Sequence, residues 1–347
     1  KLGAAASVAA SWAWMAVLSA GGVAGQEVFE TATHRFEEVA PGVHFVTGTG
    51  RVFVQSNCMV VVNEDDVLVV DSHVTPAAAR ALLSSIAELT DKPVRWLVNS
   101  HYHFDHAHGN QAFPDEVVIA GHEYTRRKLA GPVLEERTYA SFSSALPGRI
   151  AAMKAELAET SDAAAGAALA EQIRVQEAHL KALGEVVPTP PEVTLTDSMT
   201  LYRGDRRIEL HHLGRGHTGG DVVVFLPAER VVFTGDLLYS RPSYMGDGYV
   251  EDWPATLDRL RELDFDLILT GHGPALRGKE IIDRFQALLR ELWSQTTELH
   301  DEGVSAEAAA ERIDVAEEMA AYGIRGDRLV DLRAVVRMYE LLSGEAE

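Results

Sequence analysis

Cysteine is nearly absent from this chain: Cys58 stands alone among 347 residues, so no disulfide can close within it. That cysteine lies in the strand-like run Asn57-Cys-Met-Val-Val-Val62 and reads as a small buried apolar residue. Basic residues are scarce too, 31 Lys and Arg against 52 Asp and Glu, for a formal net charge of −21. Nonspecific nucleic-acid binding needs a basic footprint, so this balance argues against it and fits solubility instead. Beyond the first 25 residues no apolar run is long enough to span a membrane. Internal repeats, low-complexity linkers and a Ser-His-Asp nucleophile motif are also lacking. The hydrophobic content of 46% suffices for a sizeable core, in one large domain or a domain with additions.

What the chain does have begins at its N-terminus. Lys1 precedes an Ala-rich apolar stretch from Ala4 to Leu18, followed by the small residues 19–25. This is the pattern of a secretory signal peptide over residues 1–25, cleaved after Gly25, and it predicts a periplasmic or secreted protein. An uncleaved anchor is the alternative, but the apolar run falls short of the ~20 residues a spanning helix needs.

The densest chemistry lies between Asn99 and Asn110, where His101, His103, Asp105 and His106 fall within six residues. Imidazole nitrogens and carboxylates are the donors a zinc-class metal takes. Burying them without partners would cost about 2–7 kcal/mol per group. In extended chain, residues i and i+2 share a face, so His101 and His103 can reach one ion. Asp105 and His106 follow a turn and can face a second. The preceding run Pro93-Val-Arg-Trp-Leu-Val98 reads as a buried strand, and sites in α/β sheets form at the carboxyl ends of strands.

Three further segments repeat the design of apolar strand, glycine, then His or Asp. His217 follows Arg207–Leu213, Asp236 follows Val231–Phe233, and His272 follows Phe265–Leu269. Glycine permits tight turns and close backbone approach. The remaining histidines, His34, His44, His73, His108, His122, His179, His211, His212 and His300, read as ordinary core or surface residues. Of these, His73 and His108 are near enough to the motifs to sit behind the ligands.

The ordered set His-x-His-x-Asp-His, Gly-His-Thr, Thr-Gly-Asp and Gly-His-Gly, spread over residues 40 to 275, resembles the metallo-β-lactamase-fold superfamily. The resemblance implies an α/β fold, an αββα sandwich with metals at one edge between two sheets. It implies two divalent metal ions, zinc first, with iron and manganese suited to the same donors. His101, His103 and His217 would bind the first and Asp105, His106 and His272 the second, with Asp236 bridging. Asp71, ending the strand Val67–Val70, matches an outer carboxylate that orients a ligand histidine.

Between Phe36 and Val70 the chain reads as consecutive strands, and Thr75-Pro76 as the cap and first turn of a helix to Leu89. A helical insertion at about 123–186 interrupts the pattern, its amphipathic part running from Arg149 to Leu183. It is a packing element, a lid or a dimer contact. A catalytic domain over 26–278 is thus followed by a C-terminal helical extension over 279–347, read as helices at 279–300 and 305–343.

The expected function is a dinuclear metal-dependent hydrolase acting on a small molecule, with no nucleic-acid partner and no membrane partner once the signal is cleaved. A metal-bridging hydroxide would attack an ester, thioester, lactone or amide carbonyl, and Asp105 would orient it and carry its proton. Asp236 separates the chain from class B β-lactamases, which usually carry Cys or Ser there, and resembles the glyoxalase II type. β-Lactam hydrolysis and an iron-dependent sulfur dioxygenase are the alternatives. Tyr239, Arg241 and Tyr244, in the loop after Asp236, are candidates for substrate contact.

Overall fold

The computed structural model describes residues 27–326 and 329–345. The signal-peptide reading of residues 1–25 therefore lies outside the described residues. Strands β1 (Val28–Glu30), β2 (His34–Ala40), β3 (Val43–Gly48), β4 (Cys58–Val62), β5 (Val67–Val70), β6 (Val94–Val98), β7 (Val118–His122) and β8 (Val193–Leu195) join in chain order into one sheet. Its first half is an antiparallel meander, whereas β5 through β8 are parallel. A second sheet holds β9 (Ser198–Arg203), β10 (Arg206–His211), β11 (Val223–Leu226), β12 (Val231–Phe233), β13 (Leu267–Leu269) and β14 (Leu276–Arg277), again in sequence order. Within it only β12 and β13 pair in parallel.

Period-two alternation sets the layers. Met59 and Val61 of β4, with Leu68 and Val70 of β5, face a core shared with Ile208, Leu210, Val224, Val231, Phe233 and Leu269 of the second sheet. Their neighbours Cys58, Val60, Val67 and Val69 point the other way, onto helix α1 (Pro76–Leu89) through Ala79, Leu82 and Ile86. Each such fully buried aliphatic side chain contributes about 1.5–3 kcal/mol. Helix α1 starts as its sequence dictates: the Thr75 side chain accepts from the Ala78 amide and Pro76 takes the first turn.

The chain continues through α2 (Phe104–Ala107), α3 (Glu123–Ala130), α4 (Arg137–Glu159), α5 (Ala163–Leu183), α6 (Trp253–Glu262), α7 (Glu280–Asp301), α8 (Ala306–Arg312), α9 (Ala316–Ala320) and α10 (Leu332–Leu342). Trp253, Leu257, Phe285, Leu289, Leu292, Val335 and Met338 cover the outer face of the second sheet at Phe225 and Val232. Helix, sheet, sheet, helix is the expected αββα sandwich. The C-terminal helices share a core with the second sheet rather than forming one of their own. No described helix is long and apolar enough to cross a membrane.

Two helical boundaries differ from expectation. Helix α4 starts at Arg137 rather than Arg149 and runs through Pro147. An internal proline removes a helix hydrogen bond and costs about 3 kcal/mol, and burial of Tyr139, Leu146 and Ile150 against Phe104 and Val74 offsets it. The stretch 305–343 divides into α8, α9 and α10, with Gly323 in the left-handed region at φ 72° beyond α9.

Candidate metal centre

Parallel pairing sends the carboxyl ends of β5, β6 and β7 to one edge of the first sheet, and those of β12 and β13 to one edge of the second. Asp71 lies just past β5, and His101 and His103 just past β6. Asp105 and His106 sit in the single turn of α2, and Asp236 and His272 follow β12 and β13. The loop between β10 and β11 brings in His217. All seven side chains predicted from the sequence meet here. Donor atoms converge within 4.8 Å in three sets: His101 with His103 and His217, His101 with His106 and Asp236, and Asp105 with His106 and His272. Asp236 therefore joins the two trios.

Close approach of the loops explains the glycines. A Cβ on Gly271 would stand 2.2 Å from Asp236 Oδ1 and 2.8 Å from His106 Cε1. Gly235 takes φ 53°, and a Cβ there would meet Ser100 Oγ at 2.6 Å. The Gly271 amide donates to the Gly235 carbonyl at 2.8 Å, tying the two ligand loops together.

The donor atoms point inward because their other ring nitrogens are engaged. His106 Nδ1 meets Asp71 Oδ2 at 2.7 Å, and Asp71 accepts from the Ser100 amide and hydroxyl, each at 2.7 Å. Asp71 adopts a left-handed φ of 68°, a conformation uncommon outside glycine and tolerated by Asp. Ser100 Oγ lies 3.0 Å from His101 Nδ1, and His217 Nδ1 donates to the Tyr244 carbonyl at 2.9 Å. That leaves Nε2 of His101, His106 and His217 facing the centre. His103 is turned the other way, with Nδ1 2.9 Å from His217 Nε2 and Nε2 3.0 Å from Asp247 Oδ2.

The arrangement fits divalent cations. His101 Nε2 is buried with no hydrogen-bond partner, a costly state without a cation, and His106 Nε2 lies 3.3 Å from Asp236 Oδ1. His272 Nε2 lies 3.2 Å from both Asp105 Oδ2 and Asp236 Oδ2, and His217 Nε2 lies 3.6 Å from Asp236 Oδ2. Donors arranged tetrahedrally about one zinc at 2.0–2.1 Å stand roughly 3.3 Å apart. No thiolate competes: the sole cysteine is buried on the other face of its sheet against His73.

Electrostatics separate the two trios. Burial, reinforced by neighbouring imidazoles, holds the pKa of His101 and of His217 below the usual range, His217 at about 3. Burial also opposes a charge on His106 and His272, but there the carboxylates win. Asp236, Asp105 and Asp71 raise His106, and Asp236 and Asp105 raise His272 to about 10. Asp105 itself is held below the usual carboxylate range by His106 and His272 despite its burial.

The other sequence candidates distribute as follows. Tyr239 packs edge-on to His272 with ring centroids 5.5 Å apart, and Tyr244 lies 6.2 Å from His103. Arg241 is exposed. His73 contacts His34 Nε2 at 3.2 Å and Cys58 Sγ and is in none of the three sets, and His108 packs edge-on to Tyr139. Sequence reasoning missed Ser100 and Asp247. Ser100 directly precedes the first ligand, a local signal. Asp247 lies three residues past Tyr244 in the loop flagged for substrate contact, and nothing in its spacing marks it.

Residues 51–272 match the family model of the metallo-beta-lactamase superfamily. The chain belongs to that superfamily. Among curated relatives, it is 23% identical over 284 residues to the linear primary-alkylsulfatase of Pseudomonas sp. (strain ATCC 19151), covering 74% of this chain and 50% of that protein. It is 22% identical over 254 residues to metallo-beta-lactamase type 2 of Bacteroides fragilis, covering 72% and 80% respectively. The chain thus spans half the length of the alkylsulfatase it matches. Among solved structures, the sec-alkylsulfatase Pisa1 from Pseudomonas sp. superposes with TM-score 0.63 at 16% identity, covering 88% of this chain and 50% of that one. The metallo-beta-lactamase FIM-1 from Pseudomonas aeruginosa superposes with TM-score 0.52 at 19% identity, covering 76% and 97%. These likenesses are of fold.

Proposed function

We propose that this superfamily member is a dinuclear metal-dependent hydrolase of a small-molecule ester, thioester, lactone or amide. The observation that carries this reading is the convergence of buried His and Asp donor atoms in two trios of metal-binding type, among them His101 Nε2, which has no hydrogen-bond partner. His101, His103 and His217 would hold one ion, Asp105, His106 and His272 the other, and Asp236 both. Such ions, zinc by the donor chemistry, supply a Lewis acid for the substrate's oxygen and make a water nucleophilic at neutral pH. Around that chemistry the residues have separate tasks. Asp71 fixes the His106 tautomer, and Ser100 holds Asp71 and the His101 ring. Asp105, anionic and facing the pocket, orients the attacking water and takes its proton at Oδ2.

A second substrate reading, sulfate-ester hydrolysis, draws on the relatives. The alkylsulfatase fold likeness covers more of the chain than the β-lactamase one, 88% against 76%, and so takes in part of the helical additions. The catalytic unit is assigned to residues 26–278 and export to the first 25, which N-terminal sequencing of the secreted protein would check.

Elemental analysis of protein purified without chelator, alongside a panel of ester, thioester, lactone, β-lactam and alkyl sulfate substrates, tests the proposal. Two zinc ions per chain with turnover of one panel class is the expected result. A single iron with persulfide-dependent oxygen uptake would replace it with the dioxygenase reading, and metal-free protein that zinc does not activate would overturn it.

A further inference from the structure

His103 is the histidine of its trio whose Nδ1, not Nε2, faces the pocket. Its orientation therefore depends on what grips Nε2, and that is Asp247 Oδ2 at 3.0 Å. Asp247 belongs to the loop between β12 and α6 and needs its own anchor. Thr138, in the first turn of α4, supplies one: its hydroxyl donates to the same Oδ2 at 2.5 Å and meets Tyr244 OH at 3.0 Å. Next to it, Arg137 donates to the Gly246 carbonyl at 3.0 Å and pairs with Glu340 of α10 at 2.7 Å. Helix α10 reaches the same loop directly. Arg337 Nε donates to the Gly248 carbonyl at 3.2 Å, and the guanidinium groups of Arg333 and Arg337 lie 4.9 Å from the ring centres of Tyr244 and Tyr249. Residues 244, 246, 247, 248 and 249 are thus each held by the insertion or by the C-terminal extension.

We propose that Thr138 and Asp247 are positioning residues for His103, and that the helical insertion and α10 together clamp the loop that carries Asp247. The inference rests on the reading of the first trio as a metal site. The insertion is then neither inert packing nor a lid. The first turn of α4 helps set which His103 nitrogen is free to bind.

The test is zinc affinity of the full chain by competition with a chromophoric chelator, with the Co(II) absorption spectrum as a geometric readout. Thr138→Val should weaken binding by roughly 10–100-fold and shift the Co(II) bands, and Thr138→Ser should restore both. Glu340→Ala, at a partly exposed position that leaves the fold intact, should weaken binding by a smaller factor with unchanged circular dichroism. A Thr138→Val protein with parental zinc affinity and an unchanged Co(II) spectrum overturns the positioning role while leaving the metal centre standing. Parental affinity in Glu340→Ala and again in Arg337→Ala removes α10 from the clamp. If the unaltered chain binds no zinc, the metal-centre reading falls, and this inference falls with it.

Discussion

The two candidate trios differ in composition, one all imidazole and the other two imidazoles with a carboxylate, and His217 and His272 are shifted in opposite directions. His101, His103 and His217 form an all-imidazole trio in which burial pushes His101 and His217 toward the neutral form. Asp105, His106 and His272 share their space with Asp236 and, behind His106, with Asp71. Those carboxylates raise His106 above the usual range and His272 to about 10, favouring the protonated form of both. At His101 and His217 burial favours the neutral form, which a cation binds without displacing a proton from that residue. The second is a closed set of ion pairs that must release protons to accept one. The difference comes from carboxylate count rather than burial, since burial opposes a positive charge in both.

The most damaging change should be at the residue the trios share. Asp236→Ala removes the bridge, and kcat/KM should fall by more than about 10²-fold, beyond the 10–100-fold usual for outer partners. Metal content should fall from two ions to one or fewer by elemental analysis. Retention of two would refute bridging. Next, Asp71→Asn keeps a side chain that tolerates the left-handed backbone but removes the charge behind His106. Affinity at the second trio should drop by about 10–100-fold with the first little affected. An equal loss at both would show that the trios are not separable.

A pH series sharpens the contrast. His272 titrates at about 10 in the metal-free state, so each cation bound below that pH displaces its proton. Affinity at the second trio should rise about tenfold per pH unit for each proton released, between pH 7 and that value. His217, at about 3, is already neutral, so its trio should show no such slope from that residue. Calorimetric titration in buffers of different protonation enthalpy counts the protons, and equal counts for the two binding events would erase the distinction. The smallest effect is expected for Ser100→Ala, which deletes the hydroxyl between Asp71 and His101. It should cost about 1 kcal/mol of stability in a denaturant titration, with two ions still bound.

The candidate ligands were legible because their signal is local. His101, His103, Asp105 and His106 share one short segment, and each distant ligand repeats a strand-glycine-ligand pattern that needs no partner to be seen. The sandwich was legible for a similar reason: period-two alternation in 58–62 and 67–70, and the Thr75-Pro76 cap, are properties of a few consecutive residues. The start of α4 was not, because Pro147 reads as a breaker until the packing of Tyr139 and Leu146 outweighs it. Asp247 and Thr138 were invisible for another reason. Asp247 contacts His103 across 144 residues of sequence and Thr138 contacts Asp247 across 109, and neither has a spacing relation to any candidate ligand.

By itself the sequence determined the donor set, its order and the elements that carry it, because side-chain chemistry and backbone periodicity are written in neighbouring residues. Only the tertiary structure decided which nitrogens of His101, His103, His106 and His217 face inward, which histidines the carboxylates surround, and that two helical additions grip the loop behind His103. Those outcomes depend on distances and local electric fields between segments far apart in the chain, and such distances exist only once the chain has folded.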